Sequence, residues 1–234
     1  LGKKIFIRKG TFFLLSSYRT FINNIDSLLN SRSYKLYCDR VENVIGSGLI
    51  NGRKFFPAAL NLIKDKKYDL VVDIGCGDGE FIRRCSKVLP KSKYLAIDLS
   101  SDALDQTKMK MKKYKKKIDI NYFKCEASNI NKWSKIIKKI SSDSTNKILI
   151  SMWYLIHEIS QNNKQKIINF INKINNNLKN VDIVIGEILE LKHEHLFLNR
   201  SLSIMPEFLF FHEISGQGVL SLDEYNFIER KINF

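Results

Sequence analysis

The stretch Val71-Val72-Asp73-Ile74-Gly75-Cys76-Gly77-Asp78-Gly79-Glu80-Phe81 decides the fold. It completes a short apolar run over 68–73, the pattern of a strand buried on both faces. Glycines at 75, 77 and 79 then let the chain turn sharply and approach a ligand, and 81–88 reads as a helix. Strand, glycine turn and helix in this order open a βαβ unit. Backbone N–H groups exposed at such a turn can bind a carboxylate or phosphate.

The same alternation continues on the carboxyl-terminal side. Strands are expected over 94–98, 118–123, 147–152 and 181–188, and helices over 101–115, 133–140 and 161–178. Five strands separated by helices specify an α/β fold with a doubly wound, Rossmann-like parallel sheet. Toward the amino terminus, Phe12, Phe13, Leu14, Tyr18, Phe21, Ile22, Ile25, Leu28 and Leu29 recur at three- and four-residue steps. Residues 1–66 are therefore expected to form a helical lid on a core spanning 67–234. A turn is expected at Gly46-Ser47-Gly48 and Asn51-Gly52, with a further helix over 57–64. An irregular insertion at about 189–220 precedes a last helix, which Ser221 caps with Asp223 and Glu224 in its first turn.

The chain has 234 residues, of which 44% are hydrophobic and 27% charged, enough for one folded domain with an appendage. Its formal charge of +15 invites a nucleic-acid partner. Seven lysines at 108, 110, 112, 113, 115, 116 and 117 supply about half of that excess, and they fall on one expected sheet helix and directly after it. About half of the charge excess is therefore one local run, which weakens the nucleic-acid reading. Four cysteines, at 38, 76, 85 and 125, form neither a CxxC pair nor a dense disulfide framework, so free thiols in a reducing, cytoplasmic setting are expected. No apolar run reaches the ~18–20 residues of a membrane span, and the amino terminus lacks a secretory leader pattern.

Ala96-Ile97-Asp98-Leu99 ends the second strand with a carboxylate 19 residues beyond Gly79, where both ribose hydroxyls of a nucleoside can be accepted. With the spacing G-x-G-x-G after Asp73, the chain resembles the class I S-adenosylmethionine-dependent methyltransferases. The resemblance implies cofactor contacts at Asp73, Gly75, Cys76, Gly77, Gly79, Asp98, Leu99 and Ser151, and an adenine-binding turn at Cys125-Glu126-Ala127. A purely structural strand-to-helix turn, and a surface acid at Glu126, are the competing readings. In this family a hairpin of sixth and seventh strands follows the last helix. Here the chain stops at Lys231-Ile232-Asn233-Phe234, so the hairpin is expected to be absent and the chain to be part of a longer polypeptide.

Ser151-Met152-Trp153-Tyr154 stands after the fourth strand, where amino-methylating enzymes of the family carry Asp/Asn-Pro-Pro-Tyr. Beyond it, His157-Glu158-Ile159-Ser160 is nearly duplicated 55 residues later as His212-Glu213-Ile214-Ser215, followed by Gly216-Gln217. Both tetrapeptides follow the ends of expected neighbouring strands. Two imidazoles with an oxygen donor can hold a transition metal; alternatively one histidine is a general base, or both are structural. The pattern is similar to metal-dependent C-methyltransferases of 2-oxo acids and to the initiation methyltransferase domains of polyketide assembly lines. That resemblance implies iron or manganese on His157, His212 and Gln217. Glu158 and Glu213 would be further candidates for catalysis, and the acceptor would be a 2-oxo acid or a carrier-protein-bound acyl thioester in specialised metabolism. A metal-independent O-methyltransferase, a nucleic-acid methyltransferase and a non-catalytic binding module are the alternatives.

Overall fold

A computed structural model describes residues 2–23, 39–114, 118–141, 145–160, 163–187 and 219–232. Five strands, β1 (Leu70–Ile74), β2 (Lys93–Asp98), β3 (Ile120–Lys124), β4 (Ile148–Trp153) and β5 (Val181–Gly186), form one parallel sheet in the order β3-β2-β1-β4-β5. The chain moves outward from β1 to β3, then returns to lay β4 on the other side of β1. The crevice outside the carboxyl ends of β1 and β4 is thus a topological switch point, where open α/β sheets take their ligands.

Strand periodicity explains why β1 reads as an unbroken apolar run. Leu70, Val72 and Ile74 face one core with Trp133, Ile137, Ile167 and Ile171, whereas Val71 faces the other with Phe56, Phe81, Ile82 and Leu104. Both faces are covered, so nothing on β1 can be polar until Asp73 near its end. The covering helices are α5 (Glu80–Val88), α6 (Ser101–Lys113), α7 (Ile130–Ser141), α8 (Ile156–Ser160), α9 (Lys164–Asn177) and α10 (Leu222–Lys231). The last one starts in a capping box in which Ser221 and Glu224 satisfy each other's backbone N–H groups, as the sequence predicts.

The amino-terminal helices are α1 (Gly2–Ser17), α2 (Arg19–Asn23), α3 (Arg40–Lys54) and α4 (Phe56–Ile63). Here one expectation fails: no turn interrupts residues 46–52, and a single helix runs through all of its glycines. Each mid-helix glycine costs ~1 kcal/mol against alanine, and close packing offsets it. A Cβ on Gly46 would stand 2.6 Å from the Leu14 nitrogen of α1, one on Gly48 would run into the Asp78 carboxylate, and one on Gly52 would lie 3.0 Å from the Arg84 guanidinium. The bare face of α3 therefore lets α1 dock on one side and the glycine loop on the other.

Cys76, Cys85 and Cys125 are free and buried. No described helix is long and apolar enough to cross a membrane. Residues 188–218, and with them His193, His195, His212, Glu213 and Gln217, lie outside the described residues, as does Cys38.

Candidate active site

The loop between β1 and α5 carries positive φ at Gly75 (71°), Gly77 (56°) and Gly79 (72°). Only glycine adopts that left-handed region without strain, which is why three occur in five positions. The N–H groups expected to face a ligand are already engaged. Those of Gly75 and Cys76 donate to the Ile97 carbonyl, that of Gly77 to Asp98 Oδ2 at 3.0 Å, and that of Gly79 to the Cys76 carbonyl. The loop is folded back onto the end of β2, and these four amides are not bare donors. Thr107 on α6 fastens it from the far side, donating to the Gly77 carbonyl at 2.8 Å. The Cys76 thiol points the same way, 3.6 Å from Thr107 Oγ1, and burial pushes it well above the usual thiol range.

Asp73 is buried at the crevice, and Ser151, in register with it on β4, donates to its Oδ1 at 2.7 Å. Ser151 is itself fully buried, so what it gives the site passes through that carboxyl. Burial pushes Asp73 up to about 7, with the charges of Asp98 and Asp78 in the same direction and the Ser151 hydrogen bond opposing. An acid whose folded value lies above its unfolded one binds more protons in the fold, so its contribution to stability falls as pH rises from about 4 to about 7. Asp73→Asn is expected to flatten that fall, read as unfolding free energy by denaturant titration across this range; an unchanged slope would contradict the assignment.

Asp98 closes β2 and is almost wholly buried. Its Oδ2 accepts from Gly77 and its Oδ1 from the Ser100 N–H at 2.9 Å, while Arg40 of α3 brings Nη2 to 3.7 Å from Oδ1. Leu99 beside it is 63% exposed and presents apolar surface. The 125–127 turn is tied to this corner by Cys125 N–H donating to the Asp98 carbonyl. Glu126 is exposed at the rim, accepting from the Ser128 hydroxyl, and the Ala127 carbonyl accepts from Trp133 Nε1.

Behind the loop, Lys110 does not behave as one more solvated lysine of its run. It pairs with Asp78, and lies 3.2 Å from Glu80. Burial works against a charged Glu80, but hydrogen bonds from Arg83 and Arg84 and the charge of Lys110 outweigh it and hold the group at about 2.

At the ends of β4 and β5 the structure brings together groups that the sequence left apart. Trp153 is in register with Gly186, so the residue after β5, Glu187, lies alongside 154–157. Glu187 Oε2 accepts from the N–H groups of Ile156 (2.8 Å) and His157 (3.3 Å), and Oε1 meets His157 Nδ1 at 2.8 Å. A carboxylate only accepts, so Nδ1 carries the proton and Nε2 is left as the basic nitrogen. His157 is 2% exposed. Burial disfavours its charged form, but the charge and hydrogen bond of Glu187 win and raise it. Glu158, on the same short helix, is half-buried. Tyr154 has φ 52°, unusual for a tyrosine, and donates to Asn51 Oδ1 at 2.7 Å, tying α3 to this corner. As site residues Glu187, Tyr154, Asn51 and Arg40 all escape the sequence reading, which places Glu187 inside the strand expected over 181–188.

Residues 71–180, from β1 to just before β5, match a family model described as "Methyltransferase domain". Over those residues the chain is similar to methyltransferase domains, and its five-stranded parallel sheet has the class I methyltransferase fold. Solved structures of the same fold include a putative O-methyltransferase from Nostoc punctiforme PCC 73102 (10% identity, TM-score 0.61, 97% of this chain and 66% of that one). An O-methyltransferase family protein from Burkholderia thailandensis is similar at 8% identity and TM-score 0.58, over 96% and 65% of the two chains. Human N-acetylserotonin methyltransferase in complex with S-adenosylmethionine matches at 14% identity and TM-score 0.50, over 84% and 50%. At these identities the likeness is one of fold, and the chain spans half to two thirds of the length of those proteins. No curated protein matches the sequence. No three His, Cys, Asp or Glu side chains among the described residues converge to hold a metal ion. Of the three expected ligands only His157 is described.

Proposed function

We propose that this chain transfers the methyl group of S-adenosylmethionine to a weakly acidic hydroxyl of a small molecule, with His157 taking the proton and Glu187 holding the ring. The observation that carries this reading is the buried His157–Glu187 pair at the carboxyl ends of β4 and β5, beside the switch point. Asp98 would accept the ribose hydroxyls, Leu99, Glu126 and Ala127 would border the adenine, and Asp73 and the glycine loop would border the methionine end. An oxygen acceptor attacks the sulfonium methyl in line, its proton passes to His157 Nε2, and S-adenosylhomocysteine leaves. The amino-terminal helices would keep water from the reacting atoms. Two of the structures of similar fold carry O-methyltransferase names, which fits.

A second reading rests on the same pair, because a carboxylate behind Nδ1 is also how metal-bound histidines are oriented. His157, His212 and Gln217 would hold iron or manganese, which would supply Lewis-acid stabilisation of an enolate when bound. The acceptor would then be the carbon of a 2-oxo acid or a carrier-bound acyl thioester, with Glu158 or Glu213 near the proton.

Methyl-labelled S-adenosylmethionine offered with phenols, hydroxy acids, 2-oxo acids and malonyl-carrier protein, with and without chelator, separates the readings. The first expects labelled oxygen and no effect of the chelator. Carbon labelling that needs added iron or manganese overturns it in favour of the second. Cofactor binding with no transfer to any acceptor overturns both and leaves a binding module.

A further inference from the structure

Asp98 has more partners than a ribose acceptor needs. Its two oxygens hold the Gly77 and Ser100 N–H groups, which fix the glycine loop and the start of α6. The remaining approach to Oδ1 has Arg40 Nη2 at 3.7 Å. Arg40 is the first residue of α3, where a cation opposes the helix dipole. Its charge faces a carboxylate on another element, nearly inaccessible to solvent, while the Arg40 side chain is about one-third exposed (34%).

We propose that Arg40 competes with the cofactor's ribose for Asp98 and so acts as a gate on cofactor entry. The proposal rests on reading Asp98 as the ribose acceptor. A ribose diol bridging both oxygens of Asp98 meets the guanidinium at Oδ1, so the second hydroxyl and Arg40 compete for that side. The helix cannot simply withdraw. Gly48 seats α3 directly against Asp78, Gly46 seats it against α1, and the Asp39 N–H at its start donates to the Ser17 carbonyl at 2.7 Å. Opening is therefore a swing of the Arg40 side chain into solvent, with α3 remaining in place. The gate links the amino-terminal helices to the cofactor: the element expected to cover the acceptor also holds the ribose acid until the cofactor displaces it.

The test compares the full chain with Arg40→Gln in calorimetric binding of S-adenosylhomocysteine and of its 2′,3′-dideoxy analogue, which lacks the diol. Removing the competitor is expected to tighten S-adenosylhomocysteine binding about three- to tenfold, in the range set by one partly exposed ion pair. Binding of the dideoxy analogue is expected to stay unchanged. A gain shared equally by both ligands would mean that the substitution merely loosens the helices, and it overturns the gate. Unchanged or weaker binding of S-adenosylhomocysteine overturns it as well, the weaker case marking Arg40 as a contact of the bound cofactor. If neither protein binds either ligand while both are folded by circular dichroism, the cofactor reading itself falls, and the gate with it.

Discussion

Replacing His157 with alanine is expected to lower kcat by about 10²–10⁴-fold and leave the dissociation constant of S-adenosylhomocysteine within about twofold. The fold survives the change, because Glu187 keeps two backbone N–H partners at Ile156 and His157 after the ring is gone. Glu187→Gln tests the same pair more finely. The two N–H groups require an oxygen at the position of Oε2, so the glutamine amide nitrogen faces Nδ1 and donates to it. The ring must then accept on Nδ1 and carry its proton on Nε2, the tautomer that cannot take a proton from an acceptor. A loss of at least about 100-fold in kcat follows from that reversal alone. The pH profile moves in a determined direction. Glu187 raises the imidazole and burial lowers it, so removing the carboxylate lets burial prevail. Activity that needs a neutral ring is lost as pH falls through its pKa, and the acid limb of the residual kcat/KM profile should shift to lower pH. His157→Ala retaining more than about a tenth of kcat, or a limb that stays or moves upward, would remove His157 from proton transfer.

How far the sequence speaks for this protein depends on the range of the interaction concerned. The passage from β1 through the glycine loop to α5 is legible because period-two burial, left-handed glycines and a 3.6-residue period are all written locally. The parallel sense of the strands and the two covered faces follow from repeating that unit. Residues 46–52 mislead for the complementary reason. Glycine next to serine and asparagine reads as a turn, and only the approach of Leu14, Asp78 and Arg84, from elements far apart in the chain, makes those glycines helical contact points. The loop amides mislead similarly: glycine spacing predicts that they are bare, while the return of β2 places the Ile97 carbonyl and Asp98 against them. Glu187 is a lone acid with no motif around it. Its meaning comes from the register of β4 with β5, which no periodicity encodes. Lys110 reads as part of a charge run, and its pairing with Asp78 and Glu80 depends on how α6 faces α5.

Asp98→Asn is expected to weaken S-adenosylhomocysteine binding by about 10²–10⁴-fold, although the side chain keeps its size and shape. Both carboxylate oxygens already accept a backbone N–H, Gly77 at Oδ2 and Ser100 at Oδ1. An amide offers one oxygen, so its nitrogen must point at one of those donors, and the site is nearly closed to rescuing water. The ribose loses its charged acceptor at the same time. Each hydrogen bond to a charged group contributes roughly 1.5–3 kcal/mol, and two hydroxyls are affected, which gives the expected factor at about 1.4 kcal/mol per decade. The sheet is held by apolar residues on both faces, so circular dichroism should be unchanged while Tm falls, because the glycine loop and the start of α6 share this anchor. Glu126→Gln is the matched control: Glu126 is exposed and its hydrogen bond is to a neighbouring serine, so less than tenfold is expected for it. Near-equal effects of the two substitutions would mean that burial is not what distinguishes the acids. Binding to Asp98→Asn within about threefold of wild type would place the ribose elsewhere, since no water-filled route around a carboxylate this enclosed could replace two charged contacts.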